Sequence, residues 1–173
     1  MNQKEFMEGK EFISQALFNH GEKFYNSYQL LKGTTKETNL PSLVCLAFSI
    51  EIFFKSLRTR VNYKKVETYT EGFVMHQCND KSIVFGGHNL LKLFNGLGSN
   101  MKVDIRNRFK KEFNRNIEED LSNVCSGFVD WRYMYEGKTS VIHLSAIQNV
   151  GEFMYLYVRQ KLEKNADANI ERP

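Results

Sequence analysis

Apolar residues recur every three or four positions through most of the chain, which is the period of amphipathic helices. The first stripe predicts a helix over residues 4–31 that stops at Gly33, because glycine is the usual residue just past a helix C-terminus. A second helix is predicted from Pro41, which suits a first helical position, to about residue 60. It is apolar nearly all round and should be the central helix of a bundle. The first stripe consists of Phe6, Ile13, Leu17, His20, Phe24, Tyr28 and Leu31.

The helical period is lost over residues 61–87. Val66, Thr68 and Thr70 alternate there with polar neighbours, and Glu71-Gly72 offers a turn before another short apolar run. A β-hairpin and a partly ordered loop both fit this pattern.

Further helical segments are predicted after this insertion. A short one ends at Gly98. Asn116 followed by Glu119 resembles a capping box, so a fresh helix is predicted there and is followed to Tyr135. The final helix is predicted to begin near 140–145. The inward-facing residues of these segments are Leu90, Leu91, Phe94, Ile105, Phe109, Phe113, Ile117, Leu121, Val124, Cys125, Phe128, Arg132, Tyr135, Leu144, Ile147, Val150, Met154, Val158 and Leu162.

The predicted fold class is therefore all-α, a bundle of five to six helices with one irregular or β-hairpin insertion at about 61–87. Only 2 of the 173 residues are proline, which favours long uninterrupted helices. A chain of this length is expected to form one domain, placed here over residues 1–164. Residues 165–173 are predicted to be a polar tail with nothing to bury.

Composition and charge narrow the class of protein further. Three widely spaced cysteines exclude a disulfide framework and favour a reducing compartment. The N-terminus has no apolar segment of the signal-peptide kind. The longest apolar run, Leu43 to Phe54, is shorter than the roughly 20 residues that span a bilayer. We therefore expect a cytoplasmic protein with no membrane partner. The formal net charge of +4 permits an anionic partner without requiring one.

Glu51 interrupts the apolar run of the second helix, and Lys55 lies four residues later on the same face. Burying an unpaired carboxylate costs several kcal/mol, so a buried Glu51 should find partners elsewhere in the fold. Both residues are then candidate catalytic residues. The alternative is a narrow, solvated polar stripe at the edge of the helix.

Gly86-Gly87-His88-Asn89 stands immediately before the predicted short helix. The two glycines let the backbone approach a ligand closely, which makes Gly87 a candidate ligand-binding residue. His88 would lie at the helix start, where backbone N–H groups favour an anion, and it is a candidate for catalytic proton transfer. The alternative is a histidine that caps the helix and bonds to backbone.

Residues 131–136 combine aromatic rings with an arginine on the predicted inner face. A buried arginine needs a carboxylate or a phosphate, so Arg132 is a candidate catalytic residue. Glu136 or the carboxylate of the second helix could pair with it. Tyr133 and Tyr135 could stack a base, and with Glu136 they are candidate ligand-binding residues. The alternative is that these rings are plain core.

Three short segments carry a family resemblance, and they are Phe48-Ser-Ile-Glu-Ile-Phe-Phe-Lys55, Gly87-His88-Asn-Leu-Leu-Lys-Leu93 and Arg132-Tyr133-Met-Tyr135-Glu136. Together they resemble the HEPN superfamily of bacterial helical domains, over roughly residues 5–160 and most closely its divergent members in defence and stress loci. The resemblance implies a four-helix core with additions, frequent dimerisation, and RNA or a nucleotide as ligand. Catalytic members are metal-independent ribonucleases with an Arg and a His four to six residues apart on one helix.

This chain departs from that signature, because the first histidine after Arg132 is His143. The standard nuclease residues are therefore not assigned. We expect instead that Glu51, His88 and Arg132 converge on one polar pocket. The expected function is binding or metal-independent cleavage of RNA or a nucleotide in a bacterial defence or toxin–antitoxin context.

Two other functions fit the same residues. The first is a non-catalytic HEPN-like module that forms a homodimer or binds a toxin, antitoxin or effector protein. The second is a structural subunit in which Glu51 and Arg132 simply pair in the core.

The remaining signals are weaker. His76, Cys78 and His88 are zinc-ligand types without the usual ligand spacing, so no metal is expected. Neither a Walker lysine loop nor a GxGxxG motif is present, and no cofactor is expected. A basic stripe over residues 102–115 could follow a nucleic-acid backbone, or it could be a solvated helix face diluted by acidic neighbours.

Overall fold

The computed structural model describes residues 11–34, 39–70, 73–84, 87–132 and 142–170, with side chains left out at 62–80, 128, 130 and 168–170. The described part is an all-α bundle with a β-hairpin insertion, as the hydrophobic pattern predicts. In chain order its elements are α1 (Gln15–Leu31), α2 (Asn39–Ser56), β1 (Thr59–Thr70), β2 (Phe73–Ser82), α3 (Leu90–Asn95), α4 (Ser99–Phe113), α5 (Ile117–Asn123), α6 (Gly127–Arg132) and α7 (Leu144–Ile170).

Helix α2 is the central helix of the bundle, as predicted. Its buried residues lie on all sides, and it packs against α1, α3, α6 and α7. By length and composition α2 could cross a membrane, but most of it is buried inside the fold. It begins at Asn39, two residues before Pro41, and ends at Ser56 rather than near residue 60.

Helix α1 begins at Gln15, and residues 11–14 before it are not helical, so this part of the helix predicted over residues 4–31 is wrong; residues 4–10 lie outside the described residues. Phe12 forms an isolated antiparallel bridge with Thr59, and each backbone N–H donates to the other carbonyl at 3.0 Å. The chain is therefore extended at Phe12, and Ser14 caps the helix by accepting the N–H of Leu17 at 3.0 Å. The predicted end at Leu31 is confirmed.

The buried face of α1 is offset by one position from most of the predicted stripe, although Tyr28 is buried as predicted. Its buried members are Phe18, Gly21, Tyr25 and Tyr28, whereas the predicted His20 is exposed. Gly21 explains the offset, because a Cβ there would lie 2.9 Å from the Phe53 ring of α2. Only a residue without a side chain allows the two helices to approach so closely.

The insertion contains a β-hairpin, the first of the two predicted alternatives. β1 and β2 pair antiparallel from Thr59 opposite Ser82 to Thr70 opposite Phe73. The predicted turn at 71–72 and Gly86 lie outside the described residues.

A turn at residues 124–126 separates α5 from α6, so the continuous helix predicted from Asn116 to Tyr135 is wrong. The backbone N–H of Leu90 donates to the carbonyl of Cys125 at 2.9 Å, which takes that carbonyl out of the helical ladder. The predicted cap is confirmed, since the Asn116 side chain accepts the N–H of Glu118 at 2.9 Å.

Helix α7 closes the bundle and begins within the predicted range. Ile147, Val150, Met154 and Val158 of the predicted stripe are buried, whereas Leu144 is exposed. The helix continues to Ile170, through most of the predicted polar tail, and residues 163–167 are exposed.

Candidate functional site

Glu51 is buried in the middle of the bundle, with its residue 1% exposed. It lies on α2, most of whose buried residues are apolar, so the carboxylate must be compensated by charged or polar partners. The first partner is on the same helix, where Lys55 Nζ donates to Glu51 Oε1 at 2.5 Å. The Lys55 side chain is 29% exposed, so its ammonium group links the buried carboxylate to the surface. The alternative of a solvated polar stripe is thereby wrong for Glu51.

His88 is the second partner of this carboxylate. Its Nδ1 lies 2.9 Å from Glu51 Oε2, and its side chain is 53% exposed. His88 therefore contacts the buried charge on one side and solvent on the other. Lys55 and His88 each use a different carboxylate oxygen, so both oxygens of Glu51 are engaged.

A local turn at residues 87–88 places His88 beside Glu51. Gly87 has φ +57°, a left-handed conformation that side chains rarely adopt, and it is exposed. Asn89 is the N-cap of α3, and its side chain accepts the N–H of Lys92 at 2.9 Å. Because Asn89 supplies the cap, the alternative in which His88 caps the helix is wrong. The cap preference of asparagine before an apolar run is the signal that identifies this role.

Glu51, Lys55 and His88 form what we call the acid–base cluster. When Nδ1–H donates to the carboxylate, the neutral imidazole carries its lone pair on Nε2. A buried carboxylate behind a histidine fixes the ring orientation and stabilises the imidazolium form when it takes up a proton. The cluster thus has the chemistry of a proton-transfer site with an adjacent ammonium group.

Arg132 is exposed at the end of α6, so its predicted placement on the inner face is wrong. The turn before α6 shifts the helical phase, and the neighbouring Trp131 is buried instead, 3% exposed. Helix α6 still packs against α2, which brings the three predicted segments together at the level of helices. Among the described residues, however, the ion pairs of Glu51 are with Lys55 and His88. A simple core pair of Glu51 with Arg132 is therefore wrong.

The candidate ligand-binding residues of the next segment lie outside the described part of the chain. These are Tyr133, Tyr135 and Glu136. Within the described part, Trp131 folds back over Gly127, where a Cβ would stand 2.9 Å from the indole ring. Trp131 is thus core.

A cavity of about 480 Å³ lies between residues 11–13, residues 57–58, the start of α4 and α7. The sequence analysis did not predict it. Arg58 lines it and donates to both carboxylate oxygens of Glu11 at 2.8 Å. These hydrogen bonds lower the pKa of Glu11. Arg58 also donates to the carbonyl of Gly96 at 2.7 Å. The residues come from distant parts of the chain, and no local pattern signals their meeting.

Ion pairs bind two arginines of the basic stripe over residues 102–115. The sequence analysis did not predict these pairs. Arg106 binds Glu118 of α5 at 3.1 and 2.7 Å, and this pair lowers the pKa of Glu118. Arg115 binds Asp120 at 2.8 and 2.5 Å. Acidic side chains thus hold two of the cations in place.

Among the side chains that the structure describes, no group of three His, Cys, Asp or Glu residues could hold a metal ion. The side chains of His76 and Cys78 lie outside the described ones.

Comparisons with protein-family models, curated proteins and solved structures found no match to this chain.

Proposed function

We propose that this chain is a HEPN-like domain that binds RNA and cleaves it without a metal ion in the bacterial cytoplasm, in a defence or toxin–antitoxin context. The observation that carries the proposal is the buried Glu51 carboxylate, which holds a half-exposed His88 at 2.9 Å and Lys55 at 2.5 Å. A histidine oriented by a buried carboxylate suits proton transfer near neutral pH. An ammonium group beside it suits an anionic substrate.

In the proposed reaction, a ribose 2′-hydroxyl oxygen attacks the adjacent phosphorus atom. The new P–O2′ bond forms as the P–O5′ bond breaks, leaving a 2′,3′-cyclic phosphate and a 5′-hydroxyl. His88 Nε2 takes the proton of the attacking hydroxyl and returns it to the departing 5′ oxygen. No proton is consumed overall, and no other reactant is needed.

Glu51 and Lys55 would position groups and stabilise charge, and neither would act as the general base. Glu51 is a positioning residue, because it holds the imidazole through Nδ1. Lys55 would stabilise the charge that develops on the phosphoryl oxygens, which is commonly the largest catalytic contribution. Arg132, exposed on a helix packed against α2, is the second candidate cation for the phosphate.

The test is RNA cleavage by the purified chain with a metal chelator present. We expect His88→Gln to lower the rate constant by roughly 10²–10⁴-fold, the usual contribution of a general acid–base group. Glu51→Gln should lower kcat and leave KM little changed, because the imidazole loses the carboxylate that orients it. His20→Gln, which replaces an exposed histidine on α1, is the matched control and should leave the rate unchanged. Cleavage at the wild-type rate by His88→Gln would remove the acid–base cluster as the site.

The second candidate function is a non-catalytic HEPN-like module that binds a nucleotide or a toxin, antitoxin or effector protein, or forms a homodimer. The observation that favours it is Arg132, which is exposed rather than joined to the ion pairs of Glu51. Light scattering would measure the homodimer. A nucleotide present at 100 times its Kd should add about 2.7 kcal/mol to the free energy of unfolding. Binding without any cleavage would favour this candidate over the first.

A further inference from the structure

A cleft of about 290 Å³ lies between the C-terminal half of α4 and the start of α5. Arg106, Lys110 and Arg115 line it, and we call it the cationic cleft. Glu118 is the one carboxylate in its lining, and the amide side chains of Asn107 and Asn116 complete its polar wall. The cleft therefore has an excess of positive charge and several hydrogen-bond donors.

Each of the two arginines of the cleft is held in a bidentate ion pair. Each guanidinium uses Nε and Nη2 to bind one carboxylate, Glu118 for Arg106 and Asp120 for Arg115. The Arg106 guanidinium also lies 5.5 Å from the centre of the Phe94 ring. In the described part of the chain, no hydrogen bond is found for the Nη1 group of either arginine. Each fork thus keeps donors for a further acceptor, with little side-chain entropy left to lose on binding.

Lys110 adds a positive charge that the two arginine–carboxylate ion pairs do not neutralise. Glu118 and Asp120 already match the two arginines, whereas the contact that the described residues provide for the Lys110 ammonium is the Asn114 carbonyl, at 3.4 Å. Lys102, Arg106 and Lys110 are spaced four residues apart, which places them along one ridge of the helix about 6 Å from one to the next. A row of cations at regular spacing matches the row of phosphate charges on a nucleic-acid strand.

We propose that the cationic cleft binds a backbone phosphate of a single RNA strand, next to the nucleotide that the acid–base cluster would cleave. This inference rests on the proposed function. Helix α3 joins the two places, because Asn89 directly follows His88 and Phe94 lies beneath Arg106. Phe94 follows Asn89 by five positions, which corresponds to a rise of about 8 Å along the helix. The acid–base cluster and the cationic cleft thus lie at opposite ends of one short helix.

The test measures binding of a fluorescently labelled single-stranded RNA at several salt concentrations. Lys110→Gln removes one phosphate contact, so the slope of log Kd against log salt should fall by about 0.7, the value for one contact with a single strand. Arg106→Gln should have a similar effect, since its partner Glu118 is itself partly exposed and can be solvated. The matched control is Lys111→Gln, an exposed lysine on the same helix that does not line the cleft.

Some outcomes would overturn phosphate binding at the cationic cleft and leave the proposed cleavage intact. Another would support the binding and remove the cleavage. Equal effects of Lys110→Gln and Lys111→Gln would show diffuse charge attraction and overturn the cleft. So would undetectable RNA binding, or Lys110-dependent binding of polyglutamate in place of RNA. Cleavage that needs His88 but is indifferent to Lys110 at low RNA concentration overturns the cleft alone. RNA binding that needs Lys110 without any cleavage supports the cleft and removes the proposed nuclease activity.

Discussion

Gly151 of α7 lies so close to Leu46 of α2 that a methyl group at position 151 would overlap the leucine side chain. Both residues are buried at the crossing of the two helices. We expect Gly151→Ala to force the helices apart and to lower the free energy of unfolding by about 1–3 kcal/mol, the usual cost of overpacking. Urea denaturation followed by circular dichroism measures this change.

Gly98 provides the control for that substitution. A Cβ at Gly98 meets open space, and its backbone has φ −62°, which alanine readily adopts. Gly98→Ala should cost less than about 1 kcal/mol, from the weaker helix start alone. Equal costs at positions 98 and 151 would contradict the close crossing of α2 and α7.

Trp131 is the only tryptophan in the chain, so its fluorescence reports on α6. Its ring is buried against Gly127, where an added Cβ would lie 2.9 Å from the indole. Gly127→Ala should push the ring toward water, which shifts its emission to longer wavelength and raises its quenching by acrylamide. An unchanged emission spectrum would show that the ring has room beside residue 127.

The acid–base cluster makes a prediction about stability as well as about catalysis. Lys55→Ala and His88→Ala each leave Glu51 with one partner, whereas the double variant leaves a buried carboxylate with neither. We expect the double variant to lose about 3–5 kcal/mol of unfolding free energy at neutral pH, and each single variant clearly less. Adding Glu51→Gln should restore part of the loss. Lys92→Ala, at an exposed lysine on α3, is the control, and a double variant as stable as this one would contradict the pairing.

The ion pair of Asp104 makes the free energy of unfolding depend on pH in the acid range. Lys161 Nζ lies 2.8 Å from Asp104 Oδ2, and the Tyr157 hydroxyl donates to the same oxygen at 2.9 Å. The hydrogen bond from Lys161, more than that from Tyr157, lowers the pKa of this carboxyl. Since the unfolded chain takes up the proton first, the stabilisation is present above about pH 4 and is lost as pH falls through the folded-state pKa.

Urea denaturation between pH 6 and pH 2.5 measures this dependence. Lys161→Met should flatten the acid side of the stability curve, because the Asp104 carboxylate loses its strongest partner. Lys164→Met replaces an exposed lysine on the same helix and should leave the curve unchanged. Identical curves for the two variants would assign the acid sensitivity to other carboxylates, such as Glu118.

The elements that could be predicted from the sequence are those specified by local patterns. A nearly continuous apolar run locates α2, the period of apolar residues locates α7, and the Asn116 side chain starts a helix in the way its residue type favours. Glu51 belongs to the same group, because a carboxylate within an apolar helix must find partners. That His88 is one of them could be suspected only from its chemistry, since the two residues are far apart in the chain.

Two of the wrong predictions come from hydrogen bonds between distant segments. The bridge between Phe12 and Thr59 delays the start of α1 and ends α2 early. The bond from Leu90 to Cys125 breaks the helix before α6 and so turns Arg132 outward. Helical periodicity carries no information about either contact, because each depends on where the rest of the chain has already packed.

The central position of α2 also has a consequence for synthesis on the ribosome. Its apolar surface is covered partly by α7, which is translated only after residues 57–143 have been made. Until then the part of the apolar α2 surface that α7 covers stays exposed in the nascent chain. Polypeptides truncated before residue 144 should therefore aggregate or be retained by chaperones, even though most of the other helices are complete.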